Sequence, residues 1–241
     1  MLRLAARGAL AALTLSAASS AAAQTLDAIV ARHIEARGGA ERLKAIETIR
    51  ITRTVATPFT DVKVVVYRKR PHLFRLEQAP AGQPAVPRAI GVSQAWDTVQ
   101  GKLVVRPAQA FADARDLEGD FEGLLVNWKE KGHTVELEGK EALPGGEAYK
   151  LKVTTKSGAW GYLYLDAKTY LDRRHVNLTP NRQAQVVVDF GGWREVNGVK
   201  FPFDITEERT SKAPVQTLVT YTEKIEINVP IDDALFAVPK G

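Results

Sequence analysis

Cysteine is absent from all 241 residues. Without a thiol there is no disulfide, no thiolate metal ligand and no lipid-bearing cysteine of the bacterial lipoprotein kind, so the fold must rest on its core alone. Histidine is scarce: His33, His72, His133 and His175 are the only four, and none stands at a metal-ligand spacing from another. No metal and no cofactor is therefore expected. His33, on a helix, and His72, on a strand, read as ordinary surface or rim residues. A glycine-rich phosphate loop, a zinc-protease motif and a serine in a nucleophile elbow are all missing. Charge of one sign is also lacking, because a formal +5 is spread over interleaved basic and acidic residues and leaves no cluster for nucleic acid to grip.

Long apolar runs are missing too. Residues 9–18 form the longest modestly apolar stretch, and it is too short and alanine-rich to span a bilayer, which takes about 20 strongly apolar residues. With Arg3 and Arg7 before it and Ala21-Ala22-Ala23 before Gln24, it reads as a cleavable export leader over residues 1–23. A mitochondrial transit peptide is the alternative for an acid-free leader containing Arg and Ser. The export reading makes residues 24–241 one soluble, unlipidated domain in the periplasm. A 45% hydrophobic content suffices to fill its core.

What is present is mostly β pattern. Residues 25–37 come first, with Leu26, Ile29, Val30 and Ile34 at helical spacing, Thr25 as N-cap and Asp27 in the first turn; Gly38-Gly39 ends this helix. A short second turn surrounds Leu43 and Ile46. Alternation then marks strands over residues 49–55, 62–68, 72–78, 88–92, 95–99 and 102–105. Residues 79–87 hold three prolines and a glycine and read as a loop. Residues 107–131 return to helical spacing through Phe111, Leu117, Phe121, Leu124, Leu125 and Trp128, in two pieces because Gly119 and Gly123 interrupt them. Seven further strand patterns follow, over 133–143, 147–155, 160–166, 171–179, 184–190, 199–209 and 216–227, with hairpin signals at 144–146, 157–158 and Asn197-Gly198. The fold class is mainly β with few helices: a single curved antiparallel sheet or unclosed β-barrel of about eleven strands, with the helices as a lid on its concave face.

Carboxylate pairs Asp113/Asp116 and Asp232-Asp233 read as helix-face and turn residues, and Glu207-Glu208 as an outward face. Period-two counting puts Val64, Val66, Tyr149, Leu151, Val153, Tyr162, Tyr164, Val186, Val188, Phe201, Phe203, Val219 and Tyr221 on the inner side. That surface is either a core sealed by the helices or a cavity for an acyl chain, whose burial is worth about 0.8 kcal/mol per CH₂.

Tyr67-Arg68-Lys69-Arg70-Pro71-His72-Leu73-Phe74, followed by Trp96, resembles the LolA-type outer-membrane lipoprotein-sorting proteins. Residues 132–141, 195–202 and 228–236 resemble a divergent subgroup under the same label. The resemblance implies an unclosed barrel with a helical lid over an apolar cavity, and a carrier in place of a catalyst. It implies that Arg70 bonds backbone carbonyls of the lid and holds it shut, and that Phe74 stands near the cavity mouth. Its partners would be lipid or lipoprotein acyl chains, an inner-membrane transporter and an outer-membrane acceptor. The ligand-binding set so expected is Phe74, Val64, Val66, Trp96, Leu151, Tyr162, Tyr164, Val188, Phe201, Phe203 and Val219, with Leu124 and Trp128 from the lid, in a protein acting as a monomer. Ser93-Gln94 replaces the Asp-Gly turn common before the family tryptophan, and the proline-rich loop lengthens the preceding hairpin, so the docking rim differs. Two rivals stand beside the carrier: a non-catalytic docking or sensing module with a filled core, and a hydrolase or isomerase in which Asp166 and His175 would converge.

Overall fold

Alternating side chains form strands along most of the chain after residue 48 in the computed structural model, which describes residues 24–107, 111–178, 185–210 and 215–239. The expected leader, residues 1–23, lies outside the described residues. The chain opens with α1 (Leu26–Ala36), whose first turn is capped where Thr25 Oγ1 accepts from the Ala28 amide at 3.3 Å. Gly38 and Gly39 take φ of 121° and 91°, turning the chain into the short α2 (Ala40–Lys44).

Two antiparallel meanders follow. The first is β1 (Thr48–Ala56), β2 (Asp61–Lys69), β3 (Leu73–Pro80), β4 (Val86–Ile90), β5 (Gln94–Val99) and β6 (Lys102–Pro107). After α3 (Ala112–Leu117), the second is β7 (Thr134–Leu143), β8 (Gly146–Thr154), β9 (Trp160–Asp166), β10 (Asp172–Val176) and β11 (Gln185–Gly191). A small hairpin, β12 (Arg194–Val196) with β13 (Val199–Phe201), stands apart. Then β14 (Asp204–Thr210) and β15 (Gln216–Ile227) join the meanders, β15 pairing with β1 and β14 with β11. The result is one sheet of 13 strands in the order β6-β5-β4-β3-β2-β1-β15-β14-β11-β10-β9-β8-β7, not closed into a barrel.

The strand number exceeds the expectation partly because residues 199–209 are not one strand: Pro202 lacks a ladder donor and separates β13 from β14. The helical reading of residues 107–131 also needs correction. Only α3 is regular helix, and residues 118–132 are turns in which Gly123 (φ 95°) and Asn127 (φ 50°) adopt left-handed conformations.

The concave face is covered by α1, α2 and residues 111–132. One core cluster joins Leu43 and Ile46 of the α2 region, Phe121 and Val126 to Ile49, Ile51, Val64 and Phe74 of the first meander. The other joins Ile29 and Val30 of α1, Leu124 and Leu125 to Leu151, Val153, Leu163 and Leu165 of the second. Ile34 packs against both, so the two ends of the open sheet are brought round to a common helix.

Period-two counting assigned the wrong face to several residues. In β9 the leucines win the interior: Leu163 and Leu165 face the core opposite Leu151 and Tyr149, and Tyr162 and Tyr164 stand on the convex face opposite Lys152 and Lys150. Both alternating sets are apolar there, so the pattern alone was symmetrical; the tyrosines pack on the convex face, where Tyr164 is buried with its hydroxyl 3.4 Å from Glu141. In β15 a register shift leaves Glu223 as an extra residue between Thr222 and Lys224 in the pairing with β1. It flips the parity, so Ile225 and Ile227 are buried in the core while Val219 and Tyr221 face out. Trp96 is buried, but on the convex side, where Nε1 donates to the Phe236 carbonyl of the C-terminal 3₁₀ helix (Asp233–Phe236) at 3.3 Å.

Glycines at 38 and 39 offer a matched test of how tightly the helices sit on this frame. A Cβ at Gly38 would lie 2.2 Å from the Gly198 carbonyl oxygen, whereas one at Gly39 would meet nothing within 4 Å. Gly39→Ala is expected to carry only the strain of its positive-φ extended backbone (φ 91°, ψ 151°), about 1–3 kcal/mol. Gly38→Ala should destabilise by several kcal/mol, lowering the thermal midpoint by roughly 2–4 °C more per extra kcal/mol. Equal midpoints for the two variants would disprove the close packing.

Candidate functional site

Between the two core clusters lies a cavity of about 330 Å³. Its floor is sheet: Ile49 and Ile51 of β1, Leu163 of β9, Val188 and Phe190 of β11, and Ile205 of β14. Its roof is Leu117, Phe121, Leu124 and Leu125, and Leu178, Trp193, Phe201 and Pro202 complete the apolar wall. Charged groups enter the same space: His33 and Arg37 from α1, Arg53 and Arg68 from the first meander, Asp172 and His175 from β10, Glu207 from β14, and Asp120 from the roof.

Asp172 and His175 are three positions apart and on a regular strand would face opposite ways. A register shift between Asp172 and Arg174 puts both inward, opposite Leu165 and Leu163. His175 Nε2 lies 3.0 Å from Asp172 Oδ1, while Oδ2 is 3.9 Å from His33 Nε2 and 3.7 Å from an Arg37 guanidinium nitrogen. His33 Nδ1 is 2.8 Å from the Tyr170 carbonyl, which makes Nδ1 the donor. Arg37 Nε donates to the Lys200 carbonyl at 3.0 Å and its guanidinium lies 5.7 Å from the Trp193 ring. Burial alone would raise the Asp172 carboxyl, but His33, His175 and Arg37 outweigh it and hold the group well below the usual carboxylate range. Burial lowers the His33 imidazole despite Asp172 beside it. The cluster ties α1 to the second meander.

Arg70 makes a comparable tie on the other side. Nε donates to the Ile46 carbonyl at 2.7 Å, and one terminal nitrogen donates to the Lys44 carbonyl at 3.0 Å and to Glu122 Oε1 at 2.9 Å. The guanidinium also lies 5.3 Å from the Phe121 ring. The carbonyls belong to the end of α2 and the residues after it, not to α1 or α3.

Of the residues expected to contact ligand, Val188, Phe201 and Leu124 line the cavity. Val64, Val66, Phe74 and Phe203 lie in the first core cluster, and Leu151 and Trp128 in or against the second, packed by neighbours outside the cavity lining. Tyr162, Tyr164, Val219 and Trp96 are on the convex face. His33, expected near the surface, is 3% exposed, and Glu207 faces the cavity, so only Glu208 of that pair points outward. Asp166 does not meet His175: it accepts from the Lys168 and Thr169 amides and pairs with Arg173. Among the described residues no group of three or more His, Cys, Asp or Glu is arranged to hold a metal ion.

The polar interior was missed, although signals existed. His33 and Arg37 continue the Ile29 stripe of α1 at intervals of four. Arg53 shares the parity of Ile49 and Ile51, and Arg68 that of Val64 and Val66.

No family model matches the chain, and no curated protein matches it. Solved structures do. A LolA superfamily protein from Nitrosomonas europaea is 12% identical and superposes with a TM-score of 0.59 over 90% of this chain and 99% of that one. A DUF1329 family protein from Desulfovibrio piger is 14% identical with a TM-score of 0.51, over 88% and 96% of the two chains. A domain from Vibrio parahaemolyticus, described as an outer membrane lipoprotein-sorting protein, is 10% identical with a TM-score of 0.52, over 82% and 94%. At these identities the likeness is one of fold.

Asp172→Asn should destabilise by roughly 3–5 kcal/mol, because Arg37 and the imidazoles lose their counter-charge, and chemical denaturation reads this directly. His33 has a lowered folded value, so its contribution is intact above the unfolded imidazole value near 6.5 and declines as pH falls below it. Thermal midpoints at pH 7.5 and 5.5 should therefore differ less in His33→Gln than in the parent protein. An identical pH slope would show that His33 titrates as a free imidazole.

Proposed function

We propose that this chain, whose fold is LolA-like, is a periplasmic carrier that holds the acyl chain of a lipid or lipoprotein between the sheet and its helical cover and ferries it between the two membranes. The observation that carries this reading is the cavity itself: an apolar-walled space of about 330 Å³, roofed by short helical and turn segments in place of a second sheet. Pockets for small ligands start at about this size. Each methylene buried there contributes about 0.8 kcal/mol, so a chain binds without any polar contact. No helix among the described residues is long and apolar enough to cross a membrane.

In this mechanism α1, α2 and residues 111–132 are the moving cover. Loading requires an open form, transit the closed one, and the carrier works through the difference in cargo affinity between them. Arg70 acts on that equilibrium as a closing residue: its bonds to the Ile46 and Lys44 carbonyls and to Glu122 exist only when cover and sheet are together. The expected partners are an inner-membrane donor and an outer-membrane acceptor, with the carrier monomeric.

A second reading has one observation in its favour. Asp172 and His175 converge inside the cavity, as acid–base chemistry on an apolar substrate would require. Against it, the cavity lining among the described residues includes no serine or threonine to serve as nucleophile, and Asp172 is occupied by three cationic or imidazole neighbours.

Native mass spectrometry of protein purified without detergent tests the carrier. A reproducible lipid adduct, present as isolated or after incubation with membrane lipid extract, is the expected result. A polypeptide that stays bare in both would overturn it in favour of a docking module whose concave face is a packed core. Arg70→Leu should raise amide exchange around residues 43–47 and 120–122 and speed release of bound lipid several-fold, and unchanged exchange and release would remove the closing role from Arg70.

A further inference from the structure

We infer that Arg53 and Arg68 form an oxyanion site inside the cavity, and that the cargo is a single-chain amphiphile with an anionic head. This rests on the carrier reading and sharpens it to a ligand class. The starting observation is an imbalance in hydrogen bonding. Among the described residues, three buried side-chain polar atoms have no partner: Arg53 Nε, Arg68 Nε and Thr222 Oγ1. All three lie on the concave face of adjacent strands. Arg53 is opposite Val64 in β2 and Thr222 in β15, and Arg68 is two inward positions beyond Val64 in the same strand. The bulge at Glu223 is what brings Thr222 to this face.

Buried donors are almost always satisfied, so two unpartnered guanidinium nitrogens on cavity-lining residues, with Thr222 opposite Arg53, point to an acceptor bound there. The surrounding carboxylates are already taken. Asp120 accepts from Lys131 Nζ at 2.8 and 2.9 Å, Glu118 from Arg88 at 2.8 and 3.0 Å, Glu207 pairs with Arg209, and Asp172 holds His175 with His33 and Arg37 beside it. Arg68 has one weak bond, to the Asp120 carbonyl at 3.3 Å, and no hydrogen bond to Arg53 is found among the described residues. Burial and the nearby Arg68 guanidinium lower Arg53 to about 10, which leaves it charged at neutral pH and repelled by Arg68; burial lowers Arg68 as well, against the pull of Glu118 and Asp120. An oxyanion shared between them supplies the missing acceptor and cancels the repulsion, and the guanidinium fork suits a carboxylate or a phosphate monoester equally.

Size suits a single chain: a cavity of about 330 Å³ lies at the small end of ligand pockets and accommodates a head with one chain of about ten carbons. The roof residues Leu117 and Leu124, and Val188 and Phe190 from the sheet, offer the tail an apolar wall.

Titration calorimetry with decanoate, decanol and inorganic phosphate at pH 8 tests the inference on the full chain. Decanoate should bind about 10- to 100-fold more tightly than decanol, the margin a charge-assisted hydrogen bond supplies. Arg53→Gln and Arg68→Gln should each erase most of that margin and leave decanol affinity unchanged. Because each variant removes a charge with an unpaired buried nitrogen, its ligand-free thermal midpoint should be no lower than the parent's, which separates lost binding from lost folding. Equal affinities for decanoate and decanol would overturn the oxyanion site and leave the carrier intact. Inorganic phosphate binding as tightly as decanoate would overturn the amphiphile assignment. No binding of any probe would overturn the inference and the carrier reading together.

Discussion

A sheet of 13 strands that does not close has an apolar concave face it cannot cover by itself. Open sheets beyond about ten strands curl, and curling here draws the two meanders toward each other without letting β6 meet β7. The cover must then come from elsewhere in the chain. α1, α2 and residues 111–132 supply it, each too short to be stable alone and each held by the side chains it buries. Where the packing of the two halves leaves a seam, the cavity remains.

Two polar ties fasten this cover, and they differ in chemistry. Asp172 holds α1 to the second meander through buried charge, a connection that loses most when one partner is removed. Arg70, itself half-buried, holds the end of α2 through neutral carbonyls and the buried Glu122 carboxylate, which Lys131 also faces at 3.4 Å. The cavity lies between the two.

The interior is more polar than a space meant only for hydrocarbon. Three arginines, two histidines and three carboxylates share it with leucine, isoleucine and aromatic walls. Most of those charges neutralise one another. Arg53 Nε on β1 and Arg68 Nε on β2 remain without a partner. The LolA-like frame accounts for the existence of the space; this chain's own side chains decide what suits it.

Much of the architecture was legible in the sequence. Capping by Thr25, the breaks at Gly38-Gly39, the hairpin turns and the alternation from residue 49 onward are local features, set by backbone sterics and by side-chain periodicity within a few residues. They led to a curved antiparallel sheet under short helices. What local pattern could not reach was which alternating set faces inward. In β9 both sets are apolar, and in β10 and β15 one extra residue reverses parity, so Tyr162, Tyr164 and Val219 turned out while Asp172, His175 and Thr222 turned in. A bulge is fixed by pairing between strands, and a tyrosine is turned to the convex face only once a competing leucine has a core to enter. The sequence by itself determined the elements and their order; tertiary pairing alone decided the faces, and with them which charged groups enter the cavity.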